Sequence, residues 1–280
     1  MNFGGLDSEY RAYETAMFAV LPVPYDLTST YQSGSRQGPA AILAASANME
    51  LYDEELEQET YRKGIYTAPP VDIDSRGPEY MMSSVERAVS DLLAGGKIPV
   101  MLGGEHSISF GAVCAMKKVY PKISVLHFDA HADMRDTYQG SPYSHACVAR
   151  RIHDICPIVQ VGIRSMSTPE AAFMKEKQVK TFSADFVLDE PNWIDIVSAH
   201  LSGDLYVSID LDALDPAFMP ATGTPEPGGI SWRHILKLLQ TVAKKCSVRG
   251  FDVVELSPLA GMVAPDFLAA KMIYRIMGYI

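Results

Sequence analysis

The sequence predicts an α/β protein: a mostly parallel central sheet with helices on both faces, a three-layer α/β/α arrangement in a single domain. Two observations carry this. The short runs Ile98–Leu102, Ile123–Phe128, Ile158–Ile163, Leu205–Ile209 and Phe251–Leu256 are apolar at nearly every position, as strands buried on both faces are. Longer amphipathic stretches separate them, and strand–helix alternation of this kind closes into a parallel sheet.

Taken in chain order, Gly38-Pro39 marks a helix start, with proline in the first turn. The acidic run Asp53–Glu59 reads as a solvated face or loop. In Glu79–Leu93, the residues Val85, Ala88, Val89, Leu92 and Leu93 recur at helical spacing, and Gly95-Gly96 ends the run. Ser231 is an N-cap for a helix whose Ile235, Leu238, Leu239 and Val242 form one face. Lys244 and Lys245 then sit near the negative end of its dipole. No repeat, low-complexity tract or linker interrupts the chain, so residues 1–280 are read as one domain.

Composition narrows the partners. Lysine and arginine number 24 against 34 aspartates and glutamates, a net charge of −10, which argues against a nucleic-acid partner and is compatible with a cationic small molecule. Apolar residues make up 48% and charged residues 21%, which excludes wholesale disorder. Cys114, Cys147, Cys156 and Cys246 form no C-x-x-C pair and read as free thiols. The start MNFGGLDSEYRAYE lacks a signal pattern, and Lys271 and Arg275 break even the apolar C-terminal run. The expectation is a cytoplasmic protein with no membrane partner.

Ligands of parallel sheets bind beyond the carboxyl ends of the strands. Three predicted strands end there in polar residues: Gly103-Gly104-Glu105-His106-Ser107, Asp129-Ala130-His131-Ala132-Asp133 and Asp210-Leu211-Asp212. On extended backbone, Asp129, His131 and Asp133 project to one side, as do Asp210 and Asp212. The paired glycines let the backbone turn tightly and bring His106 inward. Each motif alone also fits a capping or turn role; their conjunction after three hydrophobic runs points to a site. Four aspartates crowded in a cleft repel one another. Two divalent cations about 3.5–4 Å apart would relieve that repulsion, and an oxygen-rich set suits Mn²⁺ better than Zn²⁺. The G-D-x-x-D and G-N-H-E of dinuclear phosphoesterases are missing, as are the glycine-rich nucleotide-binding motifs. His127 shares the parity of Asp129 and is read as a supporting histidine rather than a ligand.

The motifs GGEHS at 103–107, DAHAD at 129–133, SHACVARR at 144–151, SIDLDALDP at 208–216, ATGTPEPGG at 221–229 and DVVELSP at 252–258 resemble the signatures of the ureohydrolase family, which includes arginases and agmatinases. VPYD at 23–26 and SGSRQGPAAI at 33–42 are similar to the amino-terminal part of agmatinase-like members. The resemblance implies an arginase/deacetylase-like fold and one ureohydrolase-like catalytic domain over residues 1–280. It implies two Mn²⁺ per chain, one held by His106, Asp129, Asp133 and Asp210, the other by His131, Asp129, Asp210 and Asp212. A hydroxide bridging the ions would attack the guanidinium carbon. Asp133 would orient that hydroxide and pass on its proton, Glu255 would face the guanidinium, His145 would shuttle a proton or position substrate, and Thr224 would line the pocket. The segment Met134–Tyr143 lacks the asparagine and serine-rich stretch of arginases, which favours agmatine, hydrolysed to putrescine and urea, in polyamine biosynthesis. Guanidinobutyrate, arginine and formiminoglutamate are the alternative substrates, and a catalytically silent metal-binding homologue is the alternative role. Arg135 either pairs with Asp136 or recognises a substrate carboxylate. Family resemblance also implies a homo-oligomer, a trimer or hexamer.

Overall fold

The computed structural model describes residues 1–280. Its strands are β1 (Phe18–Val23), β2 (Ile65–Thr67), β3 (Ile98–Gly103), β4 (Ser124–Phe128), β5 (Ile158–Ile163), β6 (Lys180–Ser183), β7 (Gly203–Asp210) and β8 (Cys246–Val254). They form one 8-stranded sheet in the order β2-β1-β3-β8-β7-β4-β5-β6. Every neighbouring pair is parallel, so the expected sheet is found in its fully parallel form.

The helices are α1 (Gly38–Ser46), α2 (Pro78–Ala94), α3 (Ser109–Val119), α4 (Val148–His153), α5 (Thr168–Lys177), α6 (Ala184–Asp189), α7 (Trp193–Ser198), α8 (Trp232–Ala243) and α9 (Ala264–Tyr279). Burial sorts them into two layers. Ile42, Val197, Leu238 and Ile273 of α1, α7, α8 and α9 pack with Val20, Leu126 and Val207 on one sheet face. Val85, Val113, Ile152 and Met174 of α2 to α5 pack with Ala19, Met101 and Val125 on the other. Strand alternation between the two clusters is why each central strand reads as a continuous apolar run.

Ser231 caps α8 through a reciprocal bond with His234, and Gly95 closes α2 as its glycine pair implied. Three strands escaped the sequence reading. β1 is fully buried but carries Pro22, β2 has only three residues, and β6 is a half-exposed edge. The last predicted strand is displaced: β8 ends at Val254, which leaves Glu255 beyond it with φ +65°.

The acidic run is also corrected. Asp53 is fully buried, and its carboxylate pairs with Nε of Arg275 on α9. Glu55 and Glu54 complete the guanidinium's partners at 2.6 and 2.8 Å. The arginine that interrupts the apolar C-terminal helix is thus neutralised in place by a loop more than 200 residues away, each face of its fork matched to a carboxylate. Breaking a buried pair strands a charge, whereas an exposed pair is screened by water. Asp53→Ala is expected to cost about 3–5 kcal/mol in urea denaturation. Glu54→Ala, whose side chain is 71% exposed, should cost less than about 1 kcal/mol.

Candidate active site

Strands β3, β8, β7 and β4 are adjacent in the sheet, so their carboxyl ends deliver His106, Glu255, Asp210 and Asp129 to one place. A close approach of main chains shapes the first turn: a Cβ on Gly104 would lie 1.8 Å from the Tyr25 carbonyl oxygen. Only glycine lets the β1 and β3 tips press together there, and His106 follows on a short 3₁₀ turn, almost fully buried.

The six residues expected to share a centre do converge. His106 Nδ1 lies 3.1 Å from Asp129 Oδ2, 3.1 Å from Asp210 Oδ2 and 3.7 Å from Asp133 Oδ2. His131 Nδ1 lies 2.9 Å from Asp212 Oδ2 and 3.7 Å from Asp129 Oδ1. Asp129 therefore belongs to both groups, one carboxylate oxygen toward each. The backbone route differs from the extended one expected. Regular strand stops at Phe128 and Asp210, and the convergence is made by turns. Asp133 sits at φ +50°, a conformation that non-glycine residues adopt at an energetic cost. Asp210 Oδ1 caps the following turn by accepting the Asp212 N–H at 2.8 Å, and Asp212 Oδ1 accepts the Ala130 N–H at 3.0 Å.

The electrostatics follow from this crowding. Burial and the Asp129 charge push the Asp133 carboxyl well above the usual range. Burial with Asp212 and Asp129 does the same to Asp210. Burial opposes ionisation of Asp129 too, but hydrogen bonds from His106, His127 and His131 outweigh it and hold that carboxyl well below its ordinary value. Burial pulls His131 down, yet Asp129 and Asp212 together drive it up to about 12. Carboxylates that resist ionisation beside imidazoles that draw protons describe a pocket in need of positive charge. Oxygen-rich and largely buried, the donor set fits a pair of hard divalent cations.

His127 supports the cluster, as its parity implied. It is fully buried, stacks on the His106 ring with centroids 4.7 Å apart, and brings Nε2 to 3.0 Å from Asp129 Oδ2. Beneath His106 runs a polar row that the sequence did not announce. His106 Nε2 meets Ser208 Oγ at 2.9 Å, and Ser208 Oγ donates to Asp252 Oδ1 at 2.8 Å. His127, Ser208 and Asp252 share one register across β4, β7 and β8. Placing strands in register from sequence would have exposed the row.

A cleft of about 250 Å³ opens beside the cluster, lined by Asp133, Asp210, His145, Thr224 and Glu255 among others. Burial, then the neighbouring Glu105, pushes the Glu255 carboxyl up to about 8; its Oε1 accepts the His106 N–H at 2.7 Å. Burial lowers His145 to about 4, and its Nε2 lies 3.3 Å from Thr30 Oγ1. Glu105, given no role from sequence, is buried and accepts the Thr28 N–H at 2.6 Å. The Thr28 hydroxyl in turn accepts the His145 N–H at 3.0 Å, tying the loop after β1 to the cleft wall. Arg135 pairs with Glu170 at 3.7 Å and stacks over Tyr138, while Asp136 pairs with Arg151. The expected Arg135–Asp136 contact is not made.

Ser208→Ala removes the partner of both His106 Nε2 and Asp252 Oδ1. Leaving buried polar atoms unpaired should cost about 1–3 kcal/mol, read from the chemical-denaturation midpoint.

A parallel sheet whose adjacent strand tips gather buried carboxylates and imidazoles beside an open cleft defines an α/β enzyme built around a candidate dinuclear metal centre. The chain belongs to the arginase family, whose sequence model matches residues 16–278. It is 38% identical over 283 residues to the N(1)-aminopropylagmatine ureohydrolase of Synechocystis sp., an alignment covering 98% of this chain and 92% of that protein. The agmatinase of Pyrococcus horikoshii is 35% identical over 270 residues, covering 94% of this chain and 92% of that protein. Among solved structures, the agmatine ureohydrolase of Thermoplasma volcanium superposes with a TM-score of 0.88 at 36% identity, covering 96% of this chain and 91% of that one. The chain is an arginase-family hydrolase.

Proposed function

We propose that this chain is a manganese-dependent ureohydrolase that converts agmatine and water to putrescine and urea. The observation that carries the reading is the shared location of the carboxylate–imidazole cluster and Glu255 on one cleft. In this reading His106, Asp129, Asp133 and Asp210 hold one Mn²⁺, and His131, Asp129, Asp210 and Asp212 hold the other. Two bound divalent cations lower the pKa of water toward neutrality and stabilise negative charge as it develops.

The chain's own groups supply the rest. Glu255, raised to about 8 by burial and Glu105, loses its proton once the cationic guanidinium lies beside it, and the carboxylate then pairs with that planar group and holds its carbon over the cluster. Asp133 accepts a proton from the attacking water and passes it to the amine nitrogen, so that the C–N bond breaks with its electron pair leaving on a neutral amine. His145, kept neutral by burial, hydrogen-bonds the guanidinium nitrogens and relays the proton to solvent. Thr224 lines the same cleft. The acidic lining favours a cationic tail, and Arg135, engaged by Glu170 and Tyr138, is not a dedicated carboxylate clamp. N(1)-aminopropylagmatine is the second reading, supported by the name of the Synechocystis relative and by the solvent-open rim at Met166, which is 45% exposed. We further infer that residues 1–280 act as one catalytic domain, in a cytoplasmic homo-oligomer, a trimer or hexamer. No helix is long and apolar enough to cross a membrane.

Urea release with Mn²⁺ across agmatine, N(1)-aminopropylagmatine, arginine, guanidinobutyrate and free guanidine tests the proposal, with formamide release from formiminoglutamate assayed alongside. Agmatine is expected to turn over fastest; no product from any of them would sink the reading. Asp129→Asn and Asp210→Asn should abolish turnover and metal retention together. His145→Ala should lower kcat by about 10²–10⁴-fold with Mn²⁺ content unchanged by elemental analysis.

A further inference from the structure

Arg164, the first residue after β5, has no part in the chemistry above, yet three segments of the site meet on it. Its guanidinium is held by main-chain carbonyls. Nη2 donates to Asp212 O at 2.8 Å and Glu226 O at 2.7 Å, Nε to Pro227 O at 3.0 Å, and Nη1 to Ala213 O at 3.3 Å. The backbone around the same residue grips a third segment. Arg164 N–H and Ser165 N–H both donate to Ala130 O, at 2.8 and 2.9 Å, and Ala132 N–H donates to Ser165 O at 3.0 Å. Ala130 lies between Asp129 and His131. One residue therefore fastens the turn after β4 to the turn after β7 and to the 226–227 loop, at the point where His131 and Asp212 meet at 2.9 Å.

Arginine suits this task for a physical reason. Its planar fork presents several N–H donors in fixed directions, so it can satisfy carbonyls from two loops at once, whereas a lysine ammonium is a compact point charge that serves one. A partly buried cation satisfied by carbonyls alone also adds positive charge behind a cluster of carboxylates. The ordinary stability of β5 does not call for it, since that strand is already paired on both sides.

We propose that Arg164 is a positioning residue for the half of the centre formed by His131, Asp212 and Asp129. It sets the distance between the two ligand-bearing turns, and without it the ion on that half is lost first while the ion at His106, Asp133 and Asp210 is kept. The proposal rests on the two-ion reading given above.

Mn²⁺ titration of the chelator-stripped full chain, followed by calorimetry and electron paramagnetic resonance, tests it on wild type, Arg164→Met and Arg164→Lys. Methionine keeps the apolar stem and removes the fork; lysine keeps the charge. Wild type is expected to take up two ions. Both variants should bind one ion as wild type does and the other roughly 10–100-fold more weakly, with a cooperative melting transition and no rescue by lysine. Equal weakening of both ions would overturn the proposal, because that is what general loosening of the fold produces. Two ions bound at wild-type affinity in the variants would overturn it as well, while leaving the proposed function standing. If Arg164→Met does not fold, the lysine variant decides the matter by the same criteria. A wild type that binds fewer than two ions removes the two-ion reading and this inference together.

Discussion

Like charges do not gather under a protein surface unless something holds them there, and here the restraint is the order of the strands. β3, β8, β7 and β4 lie side by side although they come from the second, last and middle parts of the chain. Their tips bring four aspartates within reach of His106 and His131. The imidazoles and main-chain N–H groups oppose the repulsion at Asp129, whereas Asp133 and Asp210 are left resisting ionisation. Everything else about the site, from the Thr28–Glu105 tie to the stacked His127, braces an arrangement that the carboxylates by themselves would push apart.

How much of this could be read beforehand depended on the kind of signal. The central strands were legible because burial on both faces leaves a continuous apolar run. The edge strand Lys180–Ser183 was not, because an exposed edge needs no such run. The aspartates and histidines were legible because a carboxylate is conspicuous directly after an apolar strand. Asp53 was not: it lies among six neighbours rich in glutamate, and its burial depends on Arg275 at the far end of the chain. Ser208 and Asp252 were invisible for a third reason. Each is an ordinary polar residue until strand register sets it beneath His106.

Backbone strain was similarly hidden. Asp133 and Glu255 both adopt left-handed conformations at the edge of the cleft. Aspartate enters this region more readily than most residues, but only a few per cent of non-glycine residues do so, and a glutamate carries no such signal at all. Both side chains line the cleft; Glu255 does so where the main chain turns directly past β8, a turn held by Glu255 N–H to Gly104 O at 2.8 Å, and Asp133 five residues beyond the end of β4. Strain placed where chemistry is expected is consistent with a backbone selected for side-chain aim rather than for comfort.

The strand order has a consequence for biosynthesis. As the nascent polypeptide leaves the ribosome, β1 to β3 emerge first and β4 to β6 next, but within the sheet these two blocks are joined only through β7 and β8, the last strands to be made. The β4 edge stays unpaired until β7 is made and the β3 edge until β8 is made, the kind of surface on which incomplete chains stick to one another. Assembly of the sheet is therefore a late, long-range event, and a chain cut between residues 254 and 264 carries every strand of the sheet but lacks the covering helix α9.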